Sequence, residues 1–161
     1  MIFLGNVISF FASLFMVYSG LVLKKDKIIY YQSIQMLLFM VSNLILGGIT
    51  GAFTNGFEII RNILCYYNKL NFKWKMFIIA ISSIFIIYFN NLGIVGYLPL
   101  INLILYTLFI DTTSVVRLKL VMIFVTILWI IYSFYINSYV SIVFNVFTVI
   151  STIISMFRLK S

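Results

Sequence analysis

The chain contains no histidine, one cysteine (Cys65), one proline (Pro99) and only three acidic residues. A lone cysteine excludes an intrachain disulfide framework, and without histidine the usual ligand sets for zinc, haem and many iron centres are missing. Neither a metal nor another cofactor is expected. The same absence removes Ser–His nucleophilic catalysis and histidine-held metal hydrolysis. Asp26 and Asp111 fall in loops instead of pairing inside apolar segments, which argues against an aspartyl membrane protease. The sequence also holds no GxGxxG or Walker pattern. No catalytic residue is assigned, and the chain is not expected to be an enzyme.

Charge is scarce as well: 9% of the 161 residues are charged, while 64% are hydrophobic and the mean hydropathy is +1.19. A soluble domain is about half apolar and a quarter charged, so this chain has too little polar surface to coat itself against water. Lipid is the solvent that suits it. Eleven basic residues give a net charge of +8, which in a soluble protein would suggest nucleic acid. Here their placement points to membrane orientation instead, and no nucleic-acid partner is expected.

Seven apolar segments follow one another. They run from Ile2 to Leu23, Ile28 to Leu46, Thr50 to Tyr67, Met76 to Phe89, Ile94 to Ile110, Val115 to Ile136 and Tyr139 to Phe157. The fourth is short. Read as re-entrant, it would leave six spans and put basic loops on both faces. Ten of the eleven basic residues lie in or beside alternate loops: Lys24, Lys25, Lys27, then Lys69, Lys73, Lys75, then Arg117, Lys119, and finally Arg158, Lys160. The positive-inside rule assigns those loops to the cytoplasm. The expectation is seven spans, with the N-terminus outside and the C-terminus inside. Trp74, between Lys73 and Lys75, reads as an interfacial anchor.

A shift of 90 residues aligns the first three spans with the last three without a gap. Gly47-Gly48 falls on Asn137-Ser138. Asn55, Glu58, Arg61 and Asn62 fall on Asn145, Thr148, Ser151 and Thr152, a polar stripe along one side of each helix. Two three-span units joined directly would point opposite ways across the membrane. A linker span between them restores the direction and makes them parallel repeats. The predicted fold is an all-α membrane protein of two parallel three-helix bundles plus a linker helix (3+1+3). Residues 1–67 form the first unit, 68–92 the basic loop and linker helix, and 93–161 the second unit.

The segments GGITGAFTNGFEIIRNIL (47–64), LPLIN (98–102) and VFNVFTVISTIISMFRLK (143–160), set in this arrangement, resemble the SWEET/PQ-loop (MtN3-like) superfamily, and within it the whole chain is similar to the YgjV-type bacterial inner membrane proteins. The resemblance implies a multi-pass protein of the bacterial cytoplasmic (inner) membrane. It implies a transporter working by alternating access on a small polar solute, a sugar or another metabolite. In sugar-carrying relatives, asparagines on the third and seventh helices contact substrate; Asn55 and Asn145 match them. Prolines opening each triplet act there as hinges; Pro99 matches one, and its repeat mate is Ser9.

The residues themselves give further candidates. Glu58 and Arg61 are charges deep inside a predicted span and, three apart on a helix, can pair. They read either as a substrate- or proton-responsive pair beside Asn55, or as a structural pair with Arg61 extending to the headgroups. Asn55, Glu58, Asn145 and Thr148 are the expected solute contacts. Asn62, Asn102, Tyr106 and Trp129, with Gln32 and Gln35, are further cavity candidates, and Pro99 a hinge. Each Asn could equally serve interhelical hydrogen bonding, and Trp129 packing. The expected partners are the bilayer, a small polar solute and, optionally, further copies of the chain. The competing class is a non-transporting membrane protein: an immunity, sensor or assembly factor. A wet central cavity favours the carrier; a dry interface favours its rival.

Overall fold

The structure, a computed structural model, describes residues 1–160; Ser161, the last residue of the second expected unit, lies outside them. Among the described residues there are seven α-helices and no strand: α1 (Ile2–Leu21), α2 (Lys25–Ile45), α3 (Ile49–Tyr66), α4 (Phe72–Phe89), α5 (Leu98–Phe109), α6 (Val115–Tyr135) and α7 (Tyr139–Lys160). The all-helical class and the order of elements agree with the hydropathy pattern. Two segments differ in detail. α4 starts four residues earlier than expected because Asn71 caps it, its Oδ1 accepting the Trp74 N–H at 3.0 Å. It is therefore a full helix of 18 residues. The fifth segment opens as a 3-10 turn (Gly93–Tyr97) before α5 begins.

That turn changes the physical setting of Pro99. It occupies the second position of α5, where its missing N–H is one that would find no intrahelical partner anyway. The hinge expected at Pro99 therefore falls at the start of α5, beside the 3-10 to α junction, and interrupts no helix interior.

Five helices (α1, α2, α4, α6 and α7) are long and apolar enough to cross a membrane, whereas α3 and Gly93–Phe109 are not. In α3 the cause is composition: Thr54, Asn55, Glu58, Arg61 and Asn62 are all buried, so its polar content faces protein. In Gly93–Phe109 it is length. The interior of the bundle is rich in Ser, Thr and Asn, while Phe3, Ile84, Ile87, Phe124 and Phe134 are exposed. This inversion of the soluble pattern is expected where the surroundings are hydrocarbon and helices associate through small and polar side chains.

Six helices close a ring: α1 packs on α2 and α7, α2 on α3, α3 on α5, α5 on α6, and α6 on α7. α4 lies outside this ring, against α3 and α5. The α2–α3 and α6–α7 turns share one geometry. Gly47 and Asn137, 90 residues apart, both have positive φ (80° and 57°). The following N–H groups, of Gly48 and Ser138, donate to the carbonyls of Asn43 and Ser133 at 2.8 and 2.9 Å. This is the left-handed stop that satisfies orphan carbonyls at a helix end.

Two seams, α1/α7 and α3/α5, join the first three helices to the last three. In the first, Ser9, Ser42, Ser138 and Ser141 form a chain of hydroxyls, with Ser9 to Ser42 at 2.6 Å, Ser9 to Ser138 at 3.3 Å and Ser138 to Ser141 at 2.6 Å. The 90-residue shift turns these four positions into Pro99, Tyr132, Gly48 and Gly51. There the buried Tyr132 Oη accepts the Gly51 N–H at 2.9 Å and lies 3.2 Å from Thr50 Oγ1. A β-carbon on Gly48 would stand 2.7 Å from Tyr132 Oη, and one on Gly51 2.7 Å from its Cε1. The tyrosine fits because both glycines lack one. At the opposite end of the bundle, Ser155 Oγ donates to the Gly20 carbonyl at 2.8 Å, and Cys65 Sγ lies 3.9 Å from the Ile110 carbonyl; these pairs also differ by 90 in both members.

Candidate functional site

A cavity lies inside the ring. Its 18 lining residues come from α1, α2, α3, α5, α6 and α7, and none from α4. Sixteen of the 18 form pairs 90 residues apart: Met16 with Tyr106, Gln32 with Met122, Gln35 with Val125, Met36 with Thr126, Phe39 with Trp129, Asn43 with Ser133, Asn55 with Asn145, and Glu58 with Thr148. Ser19 and Ser141 complete the wall. The wall mixes amides, hydroxyls, thioethers and aromatic rings, a composition suited to a small solute with both polar and apolar surface.

The four expected solute contacts all lie on this wall. They are there because the polar stripes of α3 and α7 turn away from lipid, where an unpaired amide or carboxylate would be costly. Asn55 is buried, yet its Nδ2 has no hydrogen-bond acceptor; Gln35 Oε1 likewise has no donor. Most buried polar atoms are paired, so these two mark polar positions next to the cavity that the protein itself leaves unsatisfied. Thr148 is less free, its hydroxyl donating to the Phe144 carbonyl at 2.8 Å within its own helix.

Glu58 and Arg61 meet through a single contact, Nη1 to Oε1 at 3.4 Å. Arg61 does not extend to the headgroups as one reading expected: it is 0% exposed. Its Nε and Nη2 donate to Asn62 Oδ1 at 3.2 and 2.9 Å, and its guanidinium carbon lies 4.6 Å from the centre of the Tyr106 ring. Asn62 is thereby a partner of Arg61 and not a wall residue, its Nδ2 donating to Met36 Sδ at 3.4 Å. Tyr106 does line the cavity and donates from Oη to Gln32 Oε1 at 2.8 Å.

Asn102 also lies behind the wall. With its amide oriented to satisfy both neighbours, it donates to the Val125 carbonyl at 3.0 Å and accepts from Trp129 Nε1 at 3.2 Å. Expected as a cavity residue, it instead holds Trp129, which does line the cavity, from the adjacent helix. Towards the basic loops, an apolar cluster that includes Ile28, Leu103, Ile110, Leu118 and Met122 packs against Tyr106.

A family model described as a bacterial inner membrane protein, Imp-YgjV, matches residues 3–161. The chain belongs to this family. No match was found among curated proteins or among solved structures. Membership places this inner membrane protein in the bacterial inner membrane, and its several apolar helices fit a multi-pass chain.

Some wall residues of this inner membrane protein were not picked out by sequence: Met16, Met36, Phe39, Asn43, Met122 and Ser133. The signal for three of them was present, since the 90-residue shift puts Met16 on Tyr106, Phe39 on Trp129 and Met122 on Gln32, each already a candidate. Lys119 was also missed as an interior charge. It is fully buried, and its Nζ donates to the Gly20 carbonyl at 2.8 Å, satisfying the C-terminal end of α1.

Proposed function

We propose that this protein is a carrier that binds a small polar solute between two parallel three-helix units and passes it across the inner membrane by rocking one unit against the other. The observation that carries this reading is the cavity wall: sixteen of its 18 residues pair at one constant spacing, all six ring helices contribute, and Asn55 and Gln35 present unpaired polar atoms. Repeats of this kind place their sites at the repeat interface near the midplane. The reading includes the 3+1+3 order with α4 as linker, the N-out and C-in orientation drawn from the basic loops, and a distant likeness in mode to SWEET-type carriers. It is one of binding and movement, not of catalysis.

The test is a thermal-shift screen of the purified protein against sugars, amino acids, nucleosides and vitamins. A saturable hit that is lost in both Asn55→Ala and Asn145→Ala, and is taken up by vesicles containing the wild-type protein, is the expected result. Hits indifferent to both substitutions, or no hit, would remove the carrier reading.

A further inference from the structure

We infer that the solute is a small organic cation, a protonated amine that also carries a hydroxyl or carbonyl oxygen, seated with its ammonium on Glu58. This rests on the carrier reading and narrows it to a substrate class. Three observations lead to it.

The first is the charge of the wall. Of the 18 lining residues only Glu58 is ionisable to a full charge near neutral pH, and no Lys or Arg faces the cavity. Arg61, the nearest cation on the same helix, is turned behind the wall. It gives Asn62 Oδ1 its two shorter contacts, at 2.9 and 3.2 Å, and rests against the Tyr106 ring. Its one contact to Glu58, at 3.4 Å, reaches only Oε1. The pair is neutral as a whole, but its negative end is the one that meets the solute.

The second is an account of donors and acceptors. Glu58 Oε2 accepts no hydrogen bond from the described residues. Gln35 Oε1 is an acceptor without a donor, and Asn55 Nδ2 a donor without an acceptor. An ammonium has three N–H donors and no acceptor, which matches a wall whose free groups include acceptors without a protein donor. A hydroxyl or carbonyl elsewhere on the solute answers Asn55. An anionic solute would instead set like charge against Glu58 and leave these oxygens unpaired.

The third is the softness of the remaining wall. Phe39 and Trp129 occupy equivalent places in the two halves, and Met16, Met36 and Met122 add thioether sulfur. Aromatic faces and polarisable sulfur tolerate an alkylammonium and its carbon skeleton better than a strongly hydrated inorganic ion. Asn102 keeps the indole of Trp129 in a fixed orientation.

The experiment compares matched pairs on the purified protein at neutral pH: glucosamine against glucose, and phenylglycinol against styrene glycol. In each pair one member has the ammonium and the other a hydroxyl in its place. At least one amine is expected to raise the melting temperature saturably, with an apparent Kd about tenfold or more below that of its neutral partner, as a hydrogen bond to a charged group would give. Glu58→Gln should remove that preference. Because it leaves Arg61 without a carboxylate, the double variant E58Q/R61Q is measured beside it; it removes the charge on both sides and should likewise bind amine and alcohol equally. A preference that survives the double variant, or alcohols that bind as tightly as their amines in both pairs in the wild type, would overturn the inference. If only neutral solutes bind and do so through Asn55, the amine class falls while the carrier reading stands. If these four compounds and the broader screen all leave the protein unmoved, both fall.

Discussion

The seams α1/α7 and α3/α5 occupy equivalent places in the ring and are built from opposite materials. At the first, four serines share hydrogen bonds across three helices. At the second, one large ring fills the same positions and rests on two glycines. The first spreads its stabilisation over several small polar contacts, each worth roughly 0.6 kcal/mol in a membrane interior. The second concentrates it in one well-packed side chain. The difference shows how duplicated positions can diverge in chemistry while the volume between helices stays filled: where one half gains bulk on α6, its partner α3 gives it up. The same trade recurs towards the basic loops, where Lys119 and Gly20 meet through a hydrogen bond, and the equivalent Ile29 and Ile110 lie in an apolar cluster.

If that contrast is right, Tyr132→Ala should be the most damaging single change at either seam. It leaves an aromatic-sized void and should lower unfolding free energy by about 3 kcal/mol or more. Ser42→Ala, at the equivalent position, should cost about 1 kcal/mol or less. Reversible unfolding in mixed detergent micelles measures both, and equal losses would break the comparison. Gly51→Ala should come next, at about 2 kcal/mol, since its β-carbon would sit 2.7 Å from the Tyr132 ring. The combination Gly48→Ser, Gly51→Ser and Tyr132→Ser, which copies three of the four serine positions, should cost less than the sum of its single changes, and strict additivity would show that the sites are uncoupled. The smallest effect is expected at the other end. Ser155→Ala gives up a 2.8 Å bond and should cost about 1 kcal/mol, while Cys65→Ala gives up only a 3.9 Å sulfur contact and a little volume, and should cost less.

The sequence carried the helices themselves, because long apolar runs and the basic loops between them reflect lipid and its interfaces directly. It also carried the 90-residue spacing, and through it Asn55, Asn145, Glu58 and Thr148. Five features escaped it for separate reasons. The start of α4 depended on the Asn71 cap, which hydropathy does not register. The place of Pro99 depended on a 3-10 turn, which has the same composition as an apolar helix. The division between wall and support could not be read from residue type: Asn62 and Asn102 are as polar as Asn55, yet each is turned to a neighbour, Arg61 or Trp129. Arg61 was legible as a charge in a span but not as a fully enclosed one, because only the ring geometry puts Tyr106 and Asn62 around it. Lys119, one turn into α6, read as part of the basic edge until its bond to Gly20 placed it inside.

The position of α4 outside the ring has a consequence for how this gene can change. Since α4 gives the cavity nothing, drift along its sequence can alter lipid contacts or stability while the cavity lining stays as it was. Two polypeptides divided near residues 68–71 would each keep its own half of the cavity wall, since the first ends after α3 and the second begins with α4.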